Sequence, residues 1–153
     1  KTALLKVLGN SAFLSRWALK YPETLVDLCA PSKFLNYDFN NYIQEFEKTN
    51  KNYLNLERNE FARRLIHFKY RHLFRISWQE FGEEKSFPQV TLEWSELARA
   101  NLEIALAWHQ HQALRDWGKA LQLSPEIKPI PFCIMALGKL GGAELNFSSD
   151  IDL

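Results

Sequence analysis

Asp150 and Asp152 alternate with Ile151 and Leu153. Side chains on an extended segment point to alternate faces, so this spacing puts two carboxylates on one side and two apolar groups on the other. At about 5 Å and an effective dielectric near 20, two carboxylates repel by roughly 3 kcal/mol, so keeping both ionised calls for a cation. Two oxygen donors of this kind suit Mg2+, or Mn2+ in its place, and both ions also bind substrate phosphates. Asp150 and Asp152 are therefore the candidate metal ligands and catalytic residues.

Just upstream, three of the six glycines fall within five residues, at Gly138, Gly141 and Gly142. Glycine lets backbone amides approach a phosphate closely, and Ser148 and Ser149 add hydroxyl donors beside the acids. Gly141, Gly142, Ser148 and Ser149 are the candidate nucleotide or phosphate cradle. Lys139 could offset phosphate charge or point to solvent. Before the glycines, the apolar run 132–137 has the length and flanks of a buried strand. An isolated Asp-x-Asp is more often a solvated strand end. Strand, glycine turn, paired serines and Asp-Ile-Asp in succession favour a site for phosphate and metal. Two other glycine motifs fail: a Walker loop needs glycine at Cys133 and Ser or Thr at Leu140, and a dinucleotide fingerprint needs glycine at Leu140.

This order of elements resembles the nucleotidyltransferase superfamily of the polymerase beta type. The stretch Gly138-Lys139-Leu140-Gly141-Gly142-Ala143-Glu144-Leu145-Asn146-Phe147-Ser148-Ser149-Asp150-Ile151-Asp152-Leu153 narrows it. It is similar to the signature of the bifunctional glutamine synthetase adenylyltransferase/adenylyl-removing enzymes, and to the first, adenylyl-removing copy more than the second. Ala143 stands where that family often has arginine or glycine. Upstream, the stretch from Leu73 through Phe74, Arg75, Ile76 and Ser77 to Trp78 resembles a basic helix of the same family. The resemblance implies a Mg2+-dependent reaction in which inorganic phosphate attacks adenylyl-tyrosine on glutamine synthetase and releases ADP. It also implies glutamine synthetase and a nitrogen-status regulatory protein of the PII type as partners, and a third carboxylate on a later strand, while unpaired cysteines and the lack of a signal or spanning run point to a cytoplasmic setting. The sequence stops at Leu153 in mid-pattern and begins without methionine, so it reads as a piece of a longer chain, and the piece alone is expected to be inactive. A helical docking module for glutamine synthetase or its regulator is the alternative. A nucleotidyltransferase with another substrate is a third reading, disfavoured by the Glu-Leu-Asn-Phe-Ser-Ser string.

The elements that must position these residues read as mainly α: a long-helix bundle over 1–120, a Pro-containing linker over 121–131, and the first strands of a truncated α/β nucleotidyltransferase domain over 132–153. Short helices are expected over 2–29. Asn10 or Ser11 caps one whose Phe13, Leu14, Trp17 and Ala18 share a face, and Pro22 opens another with Leu25, Val26 and Leu28. After a break at Pro31 and Ser32, Asp38 caps a helix carrying Tyr42, Ile43 and Phe46. A long helix follows over 56–81, with Ala62, Leu65, Ile66, Leu73, Ile76 and Trp78 as its apolar stripe and Gly82 as its stop. Ser86 and Gln89 form a capping box for a second long helix, running to 117 and ended by Gly118. On it Val90, Trp94, Leu97, Asn101, Ile104 and Trp108 recur in steps of four and three, the seam of a helix packed lengthwise.

The remaining candidates have plain readings. Arg58, Arg63, Arg64, Lys69, Arg71 and Arg75 could dock an acidic partner, but a solvated helix face is the expectation. His109 with His111, and His67 with His72, lack the i, i+4 spacing of helical metal pairs and read as surface or partly buried residues. Trp94, Trp108 and Trp117 are expected in the core. Cys29 and Cys133 have neither metal nor redox spacing and read as buried free thiols.

Composition sets the outer bounds. In 153 residues, 46% hydrophobic and 14% aromatic, there is material for a packed core, which argues against disorder. A net charge of +1 leaves no global field for nucleic acid or an anionic membrane. No apolar run approaches the roughly 20 residues that cross a bilayer, and no secretory signal opens the sequence.

Overall fold

The computed structural model describes residues 2–28, 37–81, 85–117 and 132–153. The described helices are α1 (Thr2–Asn10), α2 (Ala12–Lys20), α3 (Glu23–Leu28), α4 (Phe39–Thr49), α5 (Arg58–Phe81), α6 (Phe87–Trp117) and the short α7 (Gly138–Gly141). A 3-10 turn at Tyr53–Asn55 links α4 to α5. The expected linker over 121–131, Gly82, Gly118, Pro31, Ser32 and Cys29 lie outside the described residues.

Capping chemistry sets several helix starts. The Ser11 hydroxyl accepts the Leu14 amide at 3.2 Å and opens α2. Asp38 and Asn41 bond each other's backbone amides reciprocally to open α4. At α6 the reach-back half of the box is present: the Ser86 amide and hydroxyl both donate to Gln89 Oε1 at 2.9 Å.

The core lies where α4, α5 and α6 meet, with α1 on the outer side of α5 and the 3-10 turn against α6. On α6 the expected seam is buried at Val90, Trp94, Leu97, Ile104 and Trp108, with Asn101 at its edge. The Trp108 ring stacks on Phe61 at 4.7 Å between centroids and donates its indole N–H to the Leu56 carbonyl at 3.2 Å. Each such fully buried large side chain contributes roughly 1.5–3 kcal/mol.

Three expectations need correcting. On α5 the buried side carries Phe61, Phe68, His72, Arg75 and Gln79, whereas Ala62 and Ile66 face solvent. Every residue from His72 to Gln79 is buried, so Leu73, Ile76 and Trp78 of the expected stripe lie in the core together with the polar His72, Arg75 and Gln79, and only its first turns run off the buried face. Arg75 is accordingly buried rather than part of a solvated basic face, and His72 is fully enclosed. Trp117 at the end of α6 is exposed, and Val26 and Phe13 are also more open than expected.

The third correction concerns 132–137. No strand occurs among the described residues, and Phe132, Cys133, Ile134, Met135 and Leu137 are exposed. Leu137 is extended, and the hydrogen bond from its amide to the Asp152 carbonyl, 2.9 Å, is the run's single ladder-like bond to the 150–153 segment among the described residues. A strand needs repeated partners to be buried and paired.

Candidate functional site

Segment 138–153 lies on the N-terminal half of α6. Leu140 and Leu145 are its anchors, 3% and 4% exposed. Phe147 meets Trp94 edge-to-face at 5.9 Å, and the Leu145 amide donates to the buried Ser95 hydroxyl at 3.1 Å. Between this segment, α5 and α6 runs an apolar groove of about 320 Å3 lined by Leu65, Ile66, Leu73, Leu102, Phe147 and Ile151. Ile151 thus faces the helices, as its alternation with the acids requires.

Asp152 is turned toward the glycine turn. Gly138 adopts φ +52°, and a β-carbon there would stand 2.6 Å from Asp152 Oδ2. Position 138 favours glycine for its left-handed backbone, and any side chain there would push the exposed Asp152 carboxylate aside. Gly141 is required for another reason: a β-carbon would meet the Ala136 carbonyl oxygen at 2.6 Å, a backbone atom that cannot swing aside. At Gly142 a β-carbon would make only ordinary contact with Glu144. Ala143 holds φ +55°, a conformation that suits glycine better.

The serines belong to a local turn. Asn146 Oδ1 accepts from the Ser148 amide at 3.2 Å, the Ser148 hydroxyl at 3.3 Å and the Ser149 hydroxyl at 2.9 Å, while its own amide donates to Ser149 Oγ at 3.1 Å. Both hydroxyls would have to release Asn146 before donating to a phosphate. Asp150, Lys139, Gly141, Gly142 and Ser148 are exposed, and Ser149 is half-buried at the groove edge.

Sequence reasoning left out Asn146, Gly138 and Ser95. Asn146, two residues before a serine, carries the signal of an Asx turn and could have been found. Gly138 stood in the glycine cluster without an assigned role. Ser95 has no local signal, because its partner lies 50 residues away.

The chemistry of the two acids fits a divalent ion in kind. Mg2+ binds through one or two carboxylates, completing its shell with water and phosphate oxygens. Asp152 supplies an exposed carboxylate beside Gly138, in space that a side chain at 138 would enter, and Asp150 is exposed two residues before it. No cluster of three or more His, Cys, Asp or Glu suited to a metal occurs among the described residues.

A second polar centre lies inside the bundle. Arg75 donates to Tyr42 Oη at 2.7 Å, to Gln79 Oε1 at 3.2 Å and to His72 Nδ1 at 3.3 Å, stacks 4.4 Å over Tyr37, and pairs with Glu93. Lys85 holds the other Glu93 oxygen, and Tyr42 Oη donates to Glu93 at 3.2 Å. Burial pushes the His72 imidazole down to about 4, against the opposing effect of Glu45. Burial raises the Glu45 carboxyl, but His72, Tyr37 and Arg71 outweigh it and hold it at about 2. Of the histidines, His109 packs edge-on against Trp108 at 4.8 Å, and His67 lies 3.8 Å from Glu23.

Among the described residues no helix is long and apolar enough to cross a membrane. A family model described as glutamate-ammonia ligase adenylyltransferase matches residues 1–153. A bifunctional glutamine synthetase adenylyltransferase/adenylyl-removing enzyme of Shewanella woodyi is 31% identical over 98% of the chain, and one of Nitrosococcus oceani is 35% identical over the same share. The chain spans 15% of the length of each of these relatives. No solved structure matches it.

Proposed function

The chain belongs to the glutamate-ammonia ligase adenylyltransferase family, and from that premise we propose that it contributes the opening part of an adenylyl-removing nucleotidyltransferase site. The reaction is phosphorolysis. Inorganic phosphate attacks the phosphorus of the adenylyl group on a glutamine synthetase tyrosine, the bond to the tyrosine oxygen breaks, ADP leaves, and the phenol takes up a proton. A Mg2+ ion, or Mn2+, supplies polarisation of the phosphoryl group and neutralises its developing charge.

The residues of this chain do the holding. Asp150 and Asp152 grip the ion, while Gly141 and Gly142 let backbone reach the nucleotide or the attacking phosphate. Ser148 and Ser149 exchange Asn146 for phosphate oxygens, and Lys139, exposed on the same turn, offsets phosphate charge. Segments 132–137 and 150–153 form adjoining strands in the complete domain, where a third carboxylate joins the pair. The observation that carries this reading is the approach of Asp152 to Gly138, which brings an acid against the glycine turn without any side chain between them. Glutamine synthetase is the protein substrate, a PII-type protein the regulator, and the cytoplasm the setting. A docking role for the helical part, supported by exposed Arg58, Arg63 and Lys69 on α5, is compatible with that chemistry.

The test uses the intact protein. Asp150→Asn and Asp152→Asn each abolish phosphate-dependent ADP release from adenylylated glutamine synthetase, with helical content unchanged. Undiminished release in either variant removes the assignment. The isolated 153 residues are expected to show no turnover.

A further inference from the structure

Ser95 is wholly buried in α6, 50 residues from the segment that carries the acids. Its hydroxyl donates to the Thr91 carbonyl one turn back, at 2.9 Å. With its proton committed there, the oxygen is left to accept, and it accepts the Leu145 amide at 3.1 Å. Leu145 is itself 4% exposed, so that amide has no solvent to turn to if the acceptor is removed.

Helix packing alone does not call for serine at this position. Alanine has the higher helix propensity and serves at the wholly buried Ala100 of the same helix. Leu145 stands five residues before Asp150, and the stretch between them is tied locally. Asn146 ties Ser148 and Ser149, Asp150 follows, and the Leu137 amide holds the Asp152 carbonyl at 2.9 Å. The neighbour of Ser95, Trp94, fixes Phe147 within the same stretch.

We infer that Ser95 is a positioning residue for the Asp150 and Asp152 pair, setting the height of the segment above α6 through the Leu145 amide. This rests on the proposed adenylyl-removing reaction. A misplacement of about 1 Å at a reacting centre can cost up to a hundredfold in rate, so a loosened anchor reads out in turnover before it reads out in binding.

The experiment compares Ser95→Ala, Ser95→Thr and Asp152→Asn in the intact protein. It measures phosphate-dependent ADP release alongside hydrogen exchange of the peptide containing Leu145. Threonine keeps the oxygen, and in helices its hydroxyl bonds the carbonyl three or four residues back, as Ser95 does. Ser95→Ala is expected to speed exchange at Leu145 about tenfold and lower kcat about tenfold, with KM for adenylylated glutamine synthetase unchanged. Ser95→Thr retains both properties. Faster exchange with wild-type kcat overturns the inference, as does unchanged exchange in Ser95→Ala. So does a Ser95→Thr protein that is protected at Leu145 yet as slow as the alanine variant. If Asp152→Asn is inactive while Ser95→Ala is fully active, this inference alone fails. If Asp152→Asn keeps its activity, the reading of the site falls and the inference with it.

Discussion

Glu93 and Asp152 are both acids pressed against another part of the chain, in opposite circumstances. Glu93 is 4% exposed, with Arg75 and Lys85 on its two oxygens and Tyr42 donating to it. Asp152 is exposed beside Gly138, and no basic side chain is paired with it among the described residues. The bundle satisfies its charges internally, so they act on packing. The glycine turn leaves its acids unspent, which is the condition a metal or phosphate site needs before its ligand arrives.

Breaking the internal side of that contrast gives the largest effect on stability. Glu93→Ala leaves Arg75 buried without its anion, at a cost of about 3–5 kcal/mol, seen as a lower denaturation midpoint in urea. Asp152→Asn should leave the midpoint within roughly 0.5 kcal/mol, as exposed substitutions do. Equal losses in the two variants would erase the distinction between the regions.

The next effect is a pH dependence confined to the bundle. His72 titrates near 4 in the folded chain against an ordinary 6.5, so the unfolded chain takes up a proton first as pH falls. Stability is full above 6.5 and declines toward 4, by up to about 1.4 kcal/mol per unit and roughly 3 kcal/mol in all. Glu45 has its value lowered to about 2 from 4.5, so its contribution is present above 4.5 and lost as pH falls from 4.5 toward 2. Denaturation midpoints across pH 4 to 6.5 should flatten in His72→Gln.

A smaller stability effect than that of His72 lies at the glycine turn. Gly138→Ala forces a left-handed alanine, costing about 1–2 kcal/mol, and displaces the Asp152 carboxylate. Its thermal midpoint should fall slightly while ADP release by the intact protein falls far more. A proportionate loss of both would show that the turn serves folding alone.

Much of the bundle was legible because its signals are local. Ser11 and Asp38 announce their helices within three residues, and the seam from Val90 to Trp108 follows one period along one helix. Arg75 misled because charge normally marks the solvent face. Its burial depends on Tyr42 and Glu93, 33 and 18 residues away. The motif's residue types were legible for the same local reason. The hold of Ser95 on Leu145 was not, since no periodicity links residues 50 apart. For 132–137, apolar character alone suggested burial, but burial of a strand depends on partners that composition does not specify.

In the proposed site a divalent ion is held by Asp150 and Asp152. A titration of the intact protein with Mn2+, followed by electron paramagnetic resonance of the free ion, addresses it without relying on turnover. Wild type is expected to take up an ion that the Asp150→Asn, Asp152→Asn double variant binds at least about tenfold more weakly, equivalent to 1.4 kcal/mol or more. Identical Mn2+ uptake by the two proteins would contradict the account.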